Sequence, residues 1–176
     1  MFALEPLVQA TITSGLALLF ANAVMHKLRD VARFRETLNR YELLPRVLVP
    51  AAAGLIIATE IAVVIACLMP VWRAVGAASG AALLLLYATA MGINLRRGRV
   101  SMDCGCGGVN ERQTLEWWMV RRNLLLAALA LVATLPVSAR EFGWSDFFVM
   151  SCATASAVGL YLAHATLAVA RRQVGR

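Results

Sequence analysis

The chemistry-bearing residues of this chain are few, and one pair stands out. Asp103-Cys104-Gly105-Cys106-Gly107-Gly108 places two thiols one residue apart between glycines. A disulfide across that spacing closes a smaller ring than a Cys-x-x-Cys pair, so it departs from relaxed geometry and is easier to reduce. Gly105, Gly107 and Gly108 leave the backbone free to make the turn. Arg99 and Arg112 flank it and would favour thiolate at neutral pH. The leading reading is a redox dithiol. A glycine-rich turn with incidental cysteines and a metal site are the alternatives. Zinc would need two ligands beyond Cys104 and Cys106, and His26 and His164 are the only histidines, so no metal is assigned.

Glu60 is the second candidate. It stands midway along an apolar run, where an ionisable group is costly and marks a functional site or an inter-helix hydrogen bond, to Asn or Thr on a neighbouring helix for example. Asn22, His26 and Asn94, at or near the ends of apolar runs, and His164, about two turns inside one, form a third set on the side that carries Cys104 and Cys106. They would line a small pocket or cap helix ends. Cys67 and Cys152 lie inside apolar runs, where cysteine packs as a small hydrophobe.

The elements that must position these residues follow from composition. Of 176 residues, 60% are hydrophobic and only 15% charged, with a mean hydropathy of +0.70. A soluble domain of this size cannot bury that much apolar surface. The chain therefore reads as one all-α membrane domain over 1–176, a polytopic bundle of four to five spans. The spans fall at Leu7–Met25, Val47–Met69, Ala74–Leu95, Leu124–Ala139 and Phe147–Ala170, the fourth short and carrying Pro136. No basic segment precedes the first run, which reads as a span and not a cleaved leader.

Between the first two spans, Leu28, Val31, Phe34, Leu38, Tyr41 and Leu44 recur every three or four positions among basic residues. That pattern predicts an amphipathic helix at the bilayer surface. The Cys-Gly-Cys loop, 96–123, is also basic and carries Trp117 and Trp118, residues favoured at the membrane interface. With five spans, every lysine and arginine except Arg73 and Arg140 falls on one face. The positive-inside rule makes that face cytoplasmic. The net charge of +7 is thus read as meeting lipid head groups of the bilayer and not nucleic acid.

Several pieces together resemble the MauE family within the wider MauE/DoxX group of small membrane proteins. They are His26-Lys27-Leu28, Tyr41-Glu42-Leu43-Leu44-Pro45, Glu60, Ile93-Asn94-Leu95-Arg96-Arg97-Gly98, Asp103-Cys104-Gly105-Cys106 and Arg122-Asn123. Gly107-Gly108 stands where the family usually has Phe-Gly. The resemblance implies a multi-pass protein of the bacterial inner membrane that serves methylamine utilisation. It implies maturation of methylamine dehydrogenase, whose small subunit is rich in disulfides. It also implies a thioredoxin-like partner of the MauD type, with Cys104 and Cys106 as the exchanging thiols and Glu60, His26, Asn94, His164 and Asp103 in support. If the chain is an enzyme, it is a thiol-disulfide oxidoreductase.

The layout is similar to vitamin K epoxide reductase at fold level, and a quinone would suit such chemistry, although no residue pattern here specifies one. A periplasmic target calls for thiols that reach the outer face, against the charge count. A loop folded back into the bundle, reducing equivalents carried outward, or a failure of the charge rule would each reconcile the two. A non-enzymatic scaffold for the maturation partner is the alternative function. A carrier ranks below both, because only Glu60 lies deep in a span.

Overall fold

The structure is a computed structural model that describes residues 4–98, 115–138, 143–156 and 159. Among these residues it is a bundle of helices. α1 spans Pro6–Arg29, α2 Val31–Tyr41, α3 Val49–Leu68, α4 Arg73–Arg96 and α5 Trp117–Val132. A further helical stretch occupies 144–156. Three helical segments, Pro6–Arg29, Arg46–Leu68 and Pro70–Arg96, are long and apolar enough to cross a membrane. The chain is a helical membrane protein.

The packing has the polarity expected of lipid-facing helices. α4 packs against α5, α3 and α1, and α1 also packs on α3. The largest buried cluster joins Phe20, Val63 and Leu84 to a set of small residues, Ala17, Ala77, Ala81, Ala127, Ala130 and Ala133. Bulky side chains such as Leu55, Ile65 and Leu125 point outward. In lipid there is no hydrophobic drive to bury a leucine, so small residues gather where backbones must approach closely.

The α3–α4 hairpin shows how close. Met69 leaves the helix in extended conformation and Pro70 opens a 3-10 turn, Pro70–Trp72. α4 then returns so near α3 that a Cβ built on Gly76 would lie 2.7 Å from the Cys67 backbone nitrogen. Cys67 is buried there and Cys152 is exposed, both as free thiols.

The start of α1 is tied to the end of α5. Leu4 N donates to Pro136 O at 2.7 Å and Ser138 N to Leu4 O at 3.0 Å. The buried Gln9 side chain donates to Ala133 O at 2.9 Å.

Two element boundaries differ from the apolar count and matter for the site. α1 continues past Met25 to Arg29 and so carries His26 and Lys27 as helical residues. α5 begins at Trp117 and stops before Pro136. It therefore includes Trp118, Arg122 and Asn123, which composition assigns to the loop. Its length of about 24 Å is short of the roughly 30 Å hydrocarbon core.

The amphipathic segment is helical and does not span. Asp30 caps α2 by accepting from Arg33 N at 2.8 Å, and Glu42 closes it with a left-handed φ of 47°. Its inner face packs on α3 through Phe34 and Leu38 against Ala53, Ile56 and Ile57.

Candidate functional site

The buried face of α1 repeats every three or four residues: Gln9, Thr13, Leu16, Phe20, Val24, Lys27. Lys27 is the last residue of that stripe, and it turns inward. Only 2% of its side chain is exposed. The buried stripe of α3 is Val49, Ala53, Ile57, Glu60, Val63, Cys67, and Glu60 is fully buried within it.

The two meet. Lys27 Nζ is ion-paired with Glu60 Oε1. Tyr87 of α4 donates its hydroxyl to the same oxygen at 2.7 Å, and Lys27 Nζ approaches the Tyr87 hydroxyl at 3.4 Å. The ammonium also lies 5.1 Å from the ring centroid of Phe34 and 5.1 Å from that of Tyr87. Four elements thus converge on one cation: α1 brings it, α3 the carboxylate, α4 a hydroxyl and a ring, and α2 a second ring as a roof.

The electrostatics explain why the group holds together. A lone charge at this depth would cost several kcal/mol. As a pair the cluster is neutral overall, and two aromatic faces with negative quadrupoles replace part of the lost hydration of the ammonium. One acceptor is left over, since Glu60 Oε2 is buried and receives no hydrogen bond.

The expectation that Glu60 bonds to Asn or Thr is corrected here, because its partners are Lys27 and Tyr87. The basic-loop reading of Lys27 is corrected too: a helical stripe, and not the charge count, decides its direction.

The other candidates sort by position. Asn94 is fully buried near the end of α4; its Nδ2 donates to Ala90 O at 3.1 Å and its Oδ1 is without a donor. His26 is half-buried and Asn22 exposed. Asn123 is buried in the first turns of α5, donating to Met119 O at 3.1 Å. Asp103, Cys104, Cys106 and His164 lie outside the described residues, as does most of the fifth apolar segment.

The described residues do place both roots of the Cys-Gly-Cys segment. α4 ends at Arg96, with Gly98 at a φ of +71°. The chain is described again at Leu115, which is buried with Tyr41 of α2, Met91 of α4 and Met119 of α5. The two roots therefore stand at the Lys27 end of the bundle. Tyr87 is about 16 Å below Gly98 along α4, with Met91 and Asn94 buried between them.

Comparisons with known proteins show the family. A family model described as methylamine utilisation protein MauE matches residues 5–136. The chain is similar to methylamine utilization protein MauE of Paracoccus denitrificans, 36% identical over 146 residues, covering 80% of this chain and 78% of that one. It is similar to the MauE proteins of Methylorubrum extorquens, at 34% identity over 76% of this chain and 73% of that one, and of Methylophilus methylotrophus, at 35% over 76% and 71%. No solved structure matches the chain. The match takes in Lys27, Glu60, Tyr87, Asn94 and the Asp103–Cys106 segment alike, and with relatives this similar over three quarters of the sequence, the chain belongs to the MauE family.

Proposed function

We propose that this chain is a multi-pass inner-membrane accessory protein of methylamine utilisation that exchanges dithiol and disulfide equivalents through Cys104 and Cys106. Its partner is a thioredoxin-like protein of the MauD type, and the eventual target is the disulfide-rich small subunit of methylamine dehydrogenase.

The observation that carries this reading is the placement of the two roots of the Cys-bearing segment. Gly98 and Leu115 stand at the end of the bundle that also holds Lys27, Glu60, Tyr87 and Asn94. Among the described residues, the buried Lys27, Glu60, Asn94 and Asn123 thus lie toward the end where the chain enters and leaves the segment with paired thiols, while buried Gln9 and Thr13 lie toward the other. Buried polar groups at the thiol end are what a site of chemistry needs and what a passive anchor does not. Membership of the MauE family supports the same system.

The exchange balances without a further reactant. A thiolate of the pair attacks one sulfur of the partner's disulfide and forms a mixed disulfide, and the partner's other sulfur leaves as thiolate and takes up a proton. The second cysteine, deprotonated, then attacks the mixed disulfide, closing Cys104–Cys106 and releasing the partner as a dithiol. Run in reverse, the same steps oxidise the partner.

The test is a pair of single substitutions, Cys104→Ser and Cys106→Ser, each in the full chain with its partner present. Each abolishes maturation of the dehydrogenase, and one of them accumulates a mixed disulfide with the thioredoxin-like protein. Normal maturation in both single variants would overturn the redox reading in favour of a scaffold.

A further inference from the structure

We propose that Glu60, Tyr87 and Phe34 form a recognition pocket for primary alkylammonium cations, occupied in the resting fold by the ammonium of Lys27. The geometry of the cluster points to this independently of the thiols.

A primary ammonium on an alkyl stem is recognised by a carboxylate for its charge, by oxygen acceptors for its N–H groups and by aromatic faces for its remaining surface. All three are present around one point. Glu60 Oε1 takes the charge. The Tyr87 hydroxyl donates to that oxygen at 2.7 Å and accepts from the ammonium at 3.4 Å. Two rings stand 5.1 Å from the nitrogen, one from α4 and one from α2. An ion pair needs only the first of these features. Two aromatic walls from different helices are what an ammonium-recognising cage adds.

A second, independent observation points to a ligand. Glu60 Oε2 is fully buried and receives no donor, although a carboxylate oxygen in such surroundings is expensive to leave unmet. The pocket thus offers one more acceptor than Lys27 uses. An untethered ammonium, free to rotate, could direct a second N–H to it.

Lys27 is two residues from the end of α1 at Arg29, and Asp30 breaks the helix. The Phe34 wall belongs to α2, a short helix bounded by Asp30 and Glu42. In the wild type the tethered Lys27 competes at a high effective concentration, so a free amine binds only weakly. Shortening Lys27 unmasks the pocket.

The experiment is thermal unfolding of the purified full chain in detergent, with defined amines added. Lys27→Ala deletes a propylammonium group. Its Tm falls, and propylammonium restores most of the loss in a saturable way. Methylammonium does the same about tenfold more weakly, two methylenes at ~0.8 kcal/mol each being missing. 1-Propanol, which has no charge, and tetramethylammonium, which has no N–H, give no saturable shift. The wild type shows none with any of them. Glu60→Gln on the Lys27→Ala background weakens half-saturation by about tenfold or more.

A complementary arm covers a Lys27→Ala variant that does not fold. Glu60→Ala, which deletes an acetate-sized group, is restored by acetate and not by chloride. A variant that fails to accumulate is synthesised into bilayers with its missing group present. Equal shifts with 1-propanol or tetramethylammonium would overturn the pocket, as would failure of both arms to recover folded protein. The readout is stability alone, so a negative result here leaves the Cys104–Cys106 reading standing, and the reverse also holds.

Discussion

Removing one partner of the Lys27–Glu60 pair should be far more damaging than removing both. Lys27→Met keeps the stem of the side chain but deletes its charge, leaving a fully buried carboxylate held only by the Tyr87 hydroxyl. Glu60→Gln does the opposite and strands the ammonium among rings. Loss of one member of a buried pair costs about 3–5 kcal/mol, which is roughly two to three and a half decades in the folding equilibrium. The double variant Lys27→Met/Glu60→Gln carries no charge to desolvate, and its net cost should fall to about 1 kcal/mol. The coupling energy is then several kcal/mol. Tyr87→Phe removes one hydrogen bond to the shared oxygen and should cost about 1 kcal/mol. The assay is reversible unfolding in mixed micelles, followed by tryptophan fluorescence. A cost under about 1 kcal/mol for each single change, or a double variant that loses the sum of the two, would refute a buried charge pair as the source of the effect.

Two further outcomes test the packing. Gly76→Ala places a Cβ 2.7 Å from the Cys67 nitrogen and 2.9 Å from the Ala66 carbonyl carbon. Both are backbone atoms that cannot swing away, so the α3–α4 hairpin should lose about 1–3 kcal/mol. Gly54→Ala meets nothing within 4 Å and should be neutral or gain up to about 1 kcal/mol from helix propensity, as the same unfolding titration reads. Gln9→Leu removes the buried contact to Ala133 O and should cost about 1 kcal/mol, with faster backbone hydrogen exchange at Leu4 and Ser138, whose bonds close the same end.

The membrane bundle was legible from composition, because 60% hydrophobic residues in so short a chain leave no other fold class. Glu60 was legible for a local reason: a carboxylate between apolar runs on either side needs no partner to be conspicuous. Its partners were not. A lysine at the end of a span ordinarily snorkels to the interface, and counting Lys27 with the loop arginines hides it. What distinguishes Lys27 is its register, three residues beyond Val24 and seven beyond Phe20 on the buried stripe of α1. Exposed Arg29 lies off that stripe. Tyr87 is a different case. In a hairpin turning at Pro70–Trp72, Glu60 stands level with about Leu83. Tyr87 is a turn further on and reaches back with a long side chain, a tertiary fact with no signature in local sequence. The start of α5 is hidden in the sequence because Trp117, Trp118, Arg121 and Arg122 read as interface belt, while Met119, Val120 and Asn123 of the same turns are buried.

The amphipathic helix is the element whose role changes most between sequence and structure. Its pattern is that of a helix lying in the lipid interface, with a wide apolar face and arginines on the other. A helix held by lipid alone would present that face to the bilayer. In α2 the buried residues are Phe34 and Tyr41, and each is committed to a different part of the protein. Phe34 roofs the Lys27 ammonium and packs on Ala53 and Ile57 of α3. Tyr41, seven residues on and hence on the same face, packs with Met91, Leu115 and Met119 at the roots of the Cys-Gly-Cys segment. α2 is therefore a strut about 10 Å long between the buried ion pair and the base of the thiol-bearing loop. It is fixed at both ends by side chains of the bundle, while Arg35 and Arg40 remain exposed toward the head groups. A change in the charge state or occupancy of the Lys27–Glu60 cluster would move the Phe34 end of this strut first, and the Tyr41 end would carry that movement to Leu115. Coupling between sites travels through packed side chains and secondary elements, and α2 packs against both through Phe34 and Tyr41.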